Sequence, residues 1–210
     1  MTPLRSAVCW IGKLIEKGGA PTLIWEYLKE IAEDPEASPR DLAWLVRNST
    51  AGLAAAEARK DIDDAARWGI TREKVACNPN TPEDALTELA GIKEKPEDVF
   101  LRIAVAQNPS ASPELLAKLS MDADCLVRGN AARHPNTPMD ILVKLAGDDE
   151  ASARGGVARN RNAPPEVLAT LTKDSSAYVR TKAEQTLRLG PLDNAARDEI
   201  QSQAIRRLKM

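Results

Sequence analysis

An arginine recurs every 26 residues along this chain, at Arg102, Arg128, Arg154 and Arg180. The surrounding residues keep the same phase: Leu116, Leu142 and Leu168; Leu119, Leu145 and Leu171; Ala106, Ala132 and Ala158. The position three after each arginine stays small and apolar, as Val105, Ala131, Val157 and Ala183. A fixed period of this length belongs to stacked supersecondary units, each too small to bury its apolar face alone. Such a stack works mainly through extended surface, so the repeat constrains function as well as fold.

Residues 127–146 show the unit most clearly. Val127, Ala131 and Ala132 share a helical face, and the alanines imply close helix–helix approach. His134-Pro135 ends that helix, because proline disfavours helical geometry in the residue before it. Thr137 is then expected as an N-cap and Pro138 as the first helical residue. Ile141, Leu142 and Leu145 form the apolar stripe of the second helix, and Asp148 and Asp149 are placed to cap the start of the next unit. The same order appears at residues 78–82, 108–113 and 160–164, with Ser112 expected to replace threonine as the cap and Ala163 unable to do so.

Upstream the phase slips. Arg72 precedes Arg102 by 30 residues, an insertion of four within 91–98, and Arg47 precedes Arg72 by 25. At the far end Glu184 breaks the alanine series, as a last unit facing solvent would. The expected fold class is therefore all-α: a short solenoid of about six helical pairs with terminal caps. Residues 1–69 read as degenerate N-terminal repeats and a cap, 70–190 as regular repeats, and 191–210 as a C-terminal capping helix carrying Arg197, Glu199, Arg206 and Arg207.

Over residues 70–190 the pattern V-R-x-x-V-A-x-N-P-x-T-P-x-x-L-L-x-x-L-A-x-D resembles the variant leucine-rich repeat family, a helical solenoid despite its name. The resemblance implies short units of alternating α- and 3₁₀-helix wound into a right-handed superhelix. The longer period here points to longer helices and a geometry nearer HEAT repeats. An iron–sulfur cluster domain known in that family is not carried over, because Cys9 is the sole cysteine among the first 76 residues. With Cys77 and Cys125 it makes three scattered cysteines and no C-x-x-C pair, read as reduced, mostly buried thiols.

Hydrophobic residues at 43% and charged residues at 29% fit a globular chain. No apolar run approaches the roughly 18 residues of a membrane span, and no secretory leader is recognisable, so the expectation is a cytoplasmic protein without a membrane partner. Charge is unevenly spread. Residues 71–150 carry 9 basic and 14 acidic side chains, whereas residues 151–210 carry 11 and 6. That is short of the basic footprint of a nucleic-acid protein.

The arginine ladder, Arg72 included, has two readings. It could track phosphates, or it could bond acids and helix-end carbonyls within the stack. Asp122, Asp148 and Asp174 each stand six residues before a ladder arginine, and Asp41 stands so before Arg47. Such paired periodicity predicts an internal ladder, since a phosphate clamp needs no matching acids. Arg72 and Arg102 have Ala66 and Pro96 at that position and are expected to lack the partner. Asn78, Asn108 and Asn160, with the sole histidine His134 in the same slot, read as turn chemistry and not as a metal or general-base site.

Trp10, Trp25, Trp44 and Trp68 all fall in the first third, where core or cap packing is favoured over base stacking. The acidic clusters Asp61, Asp63, Asp64 and Asp148, Asp149, Glu150 sit near expected helix starts. No phosphate loop or nucleophile motif occurs, so no catalytic, cofactor-binding or metal-ligating residue is expected.

What remains to specify a partner is the variable slot five after each arginine, holding Cys77, Gln107, Arg133, Arg159 and Gln185. Arg133, Arg159 and Arg161 form a candidate basic strip for an acidic protein. The expectation is a non-enzymatic scaffold or adaptor holding one protein along its concave face. The alternative is a nucleic-acid binder or DNA glycosylase-like enzyme, which requires tryptophans and an acid exposed together in a positive groove.

Overall fold

Across residues 22–91 and 98–190, which the computed structural model describes, every regular element is an α-helix. Cys9, Trp10, the N-terminal cap, the insertion at 92–97 and the C-terminal helix lie outside the described residues. The chain divides into two compact units after Gly91.

In the first unit, α1 (Thr22–Glu33), α2 (Pro39–Arg59), α3 (Ile62–Cys77) and α4 (Glu83–Gly91) pack around Trp25, Leu28, Leu42, Leu45, Trp68, Leu86 and Leu89. Ser38 caps α2 by accepting from the Asp41 N–H, with Pro39 at the first turn, where its missing N–H costs nothing. Asp61 caps α3 in the same way, and Asp63 and Asp64 follow in its first turn, where the helix dipole favours acids. Trp25 and Trp68 meet edge to face with ring centroids 4.6 Å apart. The Trp68 ring lies directly over Gly52, where any side chain would collide with it. These two tryptophans are core, as bulk filling an irregular unit should be; Trp44 is half-buried.

The second unit holds the regular repeat as α5 (Val99–Gln107), α6 (Pro113–Leu119), α7 (Cys125–Arg133), α8 (Met139–Leu145), α9 (Ala151–Ala158), α10 (Pro165–Leu171) and α11 (Ala177–Leu189). Odd-numbered helices stack directly on one another, α7 on α9 most extensively, and each short even-numbered helix packs against them. The even-numbered helices are α-helical and not 3₁₀, which accommodates the longer period. Every phase-locked apolar position turns inward. Val105, Ala131, Val157 and Ala183 have no exposed surface, and Leu116, Leu142 and Leu168 have at most 4%. Glu184, at the place in the period held by buried Ala158, is exposed.

The turns depart from expectation by one residue. Thr137 is not the N-cap of α8: its hydroxyl donates back to the Ala131 carbonyl, and Pro138 occupies the cap. Thr81 donates likewise to Val75. The counterparts of these threonines are the buried Ala111 and Ala163, and Ser112 aligns with the prolines and caps α6 through the Leu115 N–H. The slot thus selects a small buried residue, and threonine qualifies because its hydroxyl finds an orphan carbonyl at a helix end.

Candidate partner-binding surface

The ladder is internal. Arg102 holds Asp122 through two bonds of 2.6 and 3.1 Å, Arg128 holds Asp148 at 2.8 and 2.9 Å, and Arg154 holds Asp174 at 2.7 and 3.1 Å. Each pair therefore joins an arginine to the aspartate 20 residues ahead, in the next repeat. The aspartate six residues behind contributes its backbone: Arg128 Nη1 donates to the Asp122 carbonyl, Arg154 to Asp148 and Arg180 to Asp174. Arg102 consequently has an acid partner, contrary to the reading from the six-residue offset, because the carboxylate acts across repeats and not within one. The bond from Arg128 holds Asp148 below the usual carboxylate range, and Arg154 does the same for Asp174. Arg72 is buried in α3. At Arg47, Nε donates to the Ala43 carbonyl, and Asp41 accepts from Ser38.

The asparagine slot also works between repeats. Asn160 Nδ2 donates to the Ala132 and His134 carbonyls of the preceding turn, while its Oδ1 accepts from the Asn162 N–H. Asn78 repeats the pattern onto Ala32 and Asp34. His134 substitutes a ring for the amide. Its Nε2 lies 3.0 Å from the Asn108 carbonyl, and Nδ1 accepts from the Asn136 N–H. A carbonyl only accepts, so the neutral ring carries its proton on Nε2. Burial lowers the pKa to about 4. Among the described residues no cluster of His, Cys, Asp or Glu suits a metal ion. Cys77 is exposed and Cys125 partly so, which corrects the expectation of mostly buried thiols.

Two of the variable-slot arginines differ from the ladder in kind. Arg133 ends α7 and Arg159 caps α9, both exposed. Between α7, α9 and α11 lies a cleft of about 290 Å³ with both arginines on its wall, together with Leu126, Asn130, Ser152 and Tyr178. Glycine creates it. A Cβ at Gly156 would collide with the Gly129 backbone, and one at Gly129 would come within 2.7 Å of the Ser152 carbonyl oxygen. Only backbone approaching backbone leaves the arginines of adjacent helices side by side. Partial burial and the Arg159 charge both lower the Arg133 pKa. Neither guanidinium forms an ion pair with a described carboxylate; that of Arg159 donates through Nη1 to the Tyr178 hydroxyl, at 3.3 Å.

The remaining expected partner residues are otherwise engaged. Arg161 does not line the cleft, because its guanidinium caps the end of α11 through the Leu189 and Gly190 carbonyls. Gln107 donates to Asn130, and Gln185 accepts from Lys182. Sequence reasoning missed the apolar side of this surface. Phe100, Leu126 and Tyr178 occupy one slot of the period, with Ser152 between, and are 74, 49 and 48% exposed. The signal was present as large apolar residues out of phase with the buried stripe.

No curated protein and no solved structure matches the chain. Residues 71–129 match the family model described as Leucine Rich Repeat Variant domain, in agreement with the resemblance carried by the repeat pattern.

Proposed function

We propose that the protein is a non-enzymatic recognition module that holds an acidic protein along the outward face of α5, α7, α9 and α11. A repeat domain of this kind is suited to protein interaction, because its repetitive residues are consumed by packing and its variable ones are left for a partner. The contrast between the two sets of arginines carries the reading. Ladder arginines Arg102, Arg128 and Arg154 are neutralised by bidentate aspartates. Arg133 and Arg159 face a cleft with no such partner among the described residues. Backbone contact at Gly129 and Gly156 draws these helices closer than side-chain packing would.

A nucleic-acid or glycosylase-like function loses its chief supports. Trp25 and Trp68 are buried against each other, and the periodic arginines that would follow a phosphate backbone are occupied. The test is retention of partners from a lysate of the source organism at physiological salt. One near-stoichiometric protein, resistant to nuclease, is expected with the natural sequence and with Lys118→Ala on α6, and it should be lost with Leu126→Glu. Recovery of nucleic acid, or loss of the protein after nuclease, overturns the reading.

A further inference from the structure

We infer that the cleft between α7, α9 and α11 recognises an acidic-plus-apolar peptide element, a partner carboxylate held by Arg133 and Arg159 beside a bulky apolar side chain resting on Leu126 and Tyr178. This rests on the protein-binding reading and names the element that such a partner presents. Charge complementarity selects the occupant. Two like charges on neighbouring helices, both facing one cleft and without a described acid, are relieved by an incoming carboxylate, whose two oxygens suit arginine forks. The helix C-termini at which they sit favour cations without neutralising them.

The walls supply the second half. Leu126 and Tyr178 are exposed apolar surface, and the Tyr178 hydroxyl is oriented by Arg159. Tyrosine and arginine together are the commonest energetic anchors of protein interfaces. A cleft of about 290 Å³ has room for a pair of side chains and none for a folded domain, so the recognised element is a short segment. A polynucleotide fits poorly, since the cleft offers two arginines and the ladder arginines Arg102, Arg128 and Arg154 are already paired with aspartates.

The probe is a displayed library of random twelve-residue peptides selected against the full chain, with selected sequences measured as labelled peptides by fluorescence anisotropy. Enriched sequences are expected to place Asp or Glu next to Leu, Ile, Phe or Met. Affinity should fall at least tenfold in Arg133→Ala/Arg159→Ala, fall with rising salt, and stay within twofold in Lys118→Ala. Both arginines are exposed, so circular dichroism should show the double variant folded. Failure to enrich any peptide, enrichment without an acid, or equal binding by the double variant overturns the inference. So does tighter arginine-dependent binding of a twelve-nucleotide single strand than of any peptide. None of the peptide failures touches the lysate experiment, which tests the broader reading separately.

Discussion

His134 occupies a place that asparagine fills in three other repeats, and the exchange adds a titration to an otherwise structural slot. Both residues deliver a donor to the carbonyl of the preceding repeat and an acceptor to the N–H two residues on. Only the histidine can be protonated. Burial depresses its pKa to about 4 from 6.5, so the unfolded chain binds the proton more readily. Its contribution is fully present above about pH 6.5 and is lost as pH falls towards 4, an effect of roughly 3 kcal/mol by linkage. Asp148 and Asp174 have lowered values too, so the stability they confer is present above their ordinary 3.8 and disappears only below it. The two windows are therefore separate. His134→Asn is expected to fold and to flatten the decline in urea-unfolding free energy between pH 6.5 and 4.5, leaving the steeper loss below pH 4 unchanged. An undiminished slope in the variant would show that another group titrates there. The sequence told that this residue was structural, because its slot holds asparagine elsewhere. It did not tell that the bond crosses repeats, since a local turn and an inter-repeat tie use the same residue types.

At the scale of the element, the helices of the second unit were legible because their apolar positions recur in register, and each recurrence is buried. The boundaries were less so. Thr-Pro reads equally well as cap followed by first helical residue, or as buried hydroxyl followed by cap, and tertiary burial of the threonine selects the second. The tight contact at Gly156 could not be read from the sequence as the floor of a cleft, because that needs Arg133 and Tyr178 from two other helices. Gly156 makes the contact testable. Alanine normally improves a helix interior by about 0.5–1 kcal/mol over glycine. At Gly69 of α3, where an added Cβ meets nothing within 4 Å, Gly69→Ala should give that gain. At Gly156 the added carbon meets the Gly129 backbone, which cannot rotate aside. Overpacking of this kind costs about 1–3 kcal/mol, which exceeds the propensity gain. Thermal unfolding should thus move upward in Gly69→Ala and downward in Gly156→Ala. If both rise, α7 and α9 have slack that backbone contact denies them.

For the whole molecule, a stack in which each repeat touches only its neighbours behaves as a one-dimensional chain of interfaces. The ladder is the polar half of those interfaces, bonding Arg102, Arg128 and Arg154 each to the next repeat. Its existence was written in the matched periods of arginine and aspartate. Its direction was not, because an aspartate every 26 residues lies six before one arginine and 20 after another, and only folding decides which is near. Asp148→Ala tests the interfacial role. It removes one carboxylate and leaves Arg128, with its side chain 16% exposed, short of its charge partner. Exposed pairs contribute up to about 1 kcal/mol and breaking buried ones costs 3–5, so a loss of roughly 2 kcal/mol is expected here. The more informative readout is where the loss is felt. In native-state hydrogen exchange, amides of α7 and α9, which the pair joins, should lose protection first, with smaller changes in α5 and α11 and none in α2 and α3. Uniform loss across all helices would mean that the chain opens only globally, and that the ladder stabilises one cooperative core instead of successive repeats.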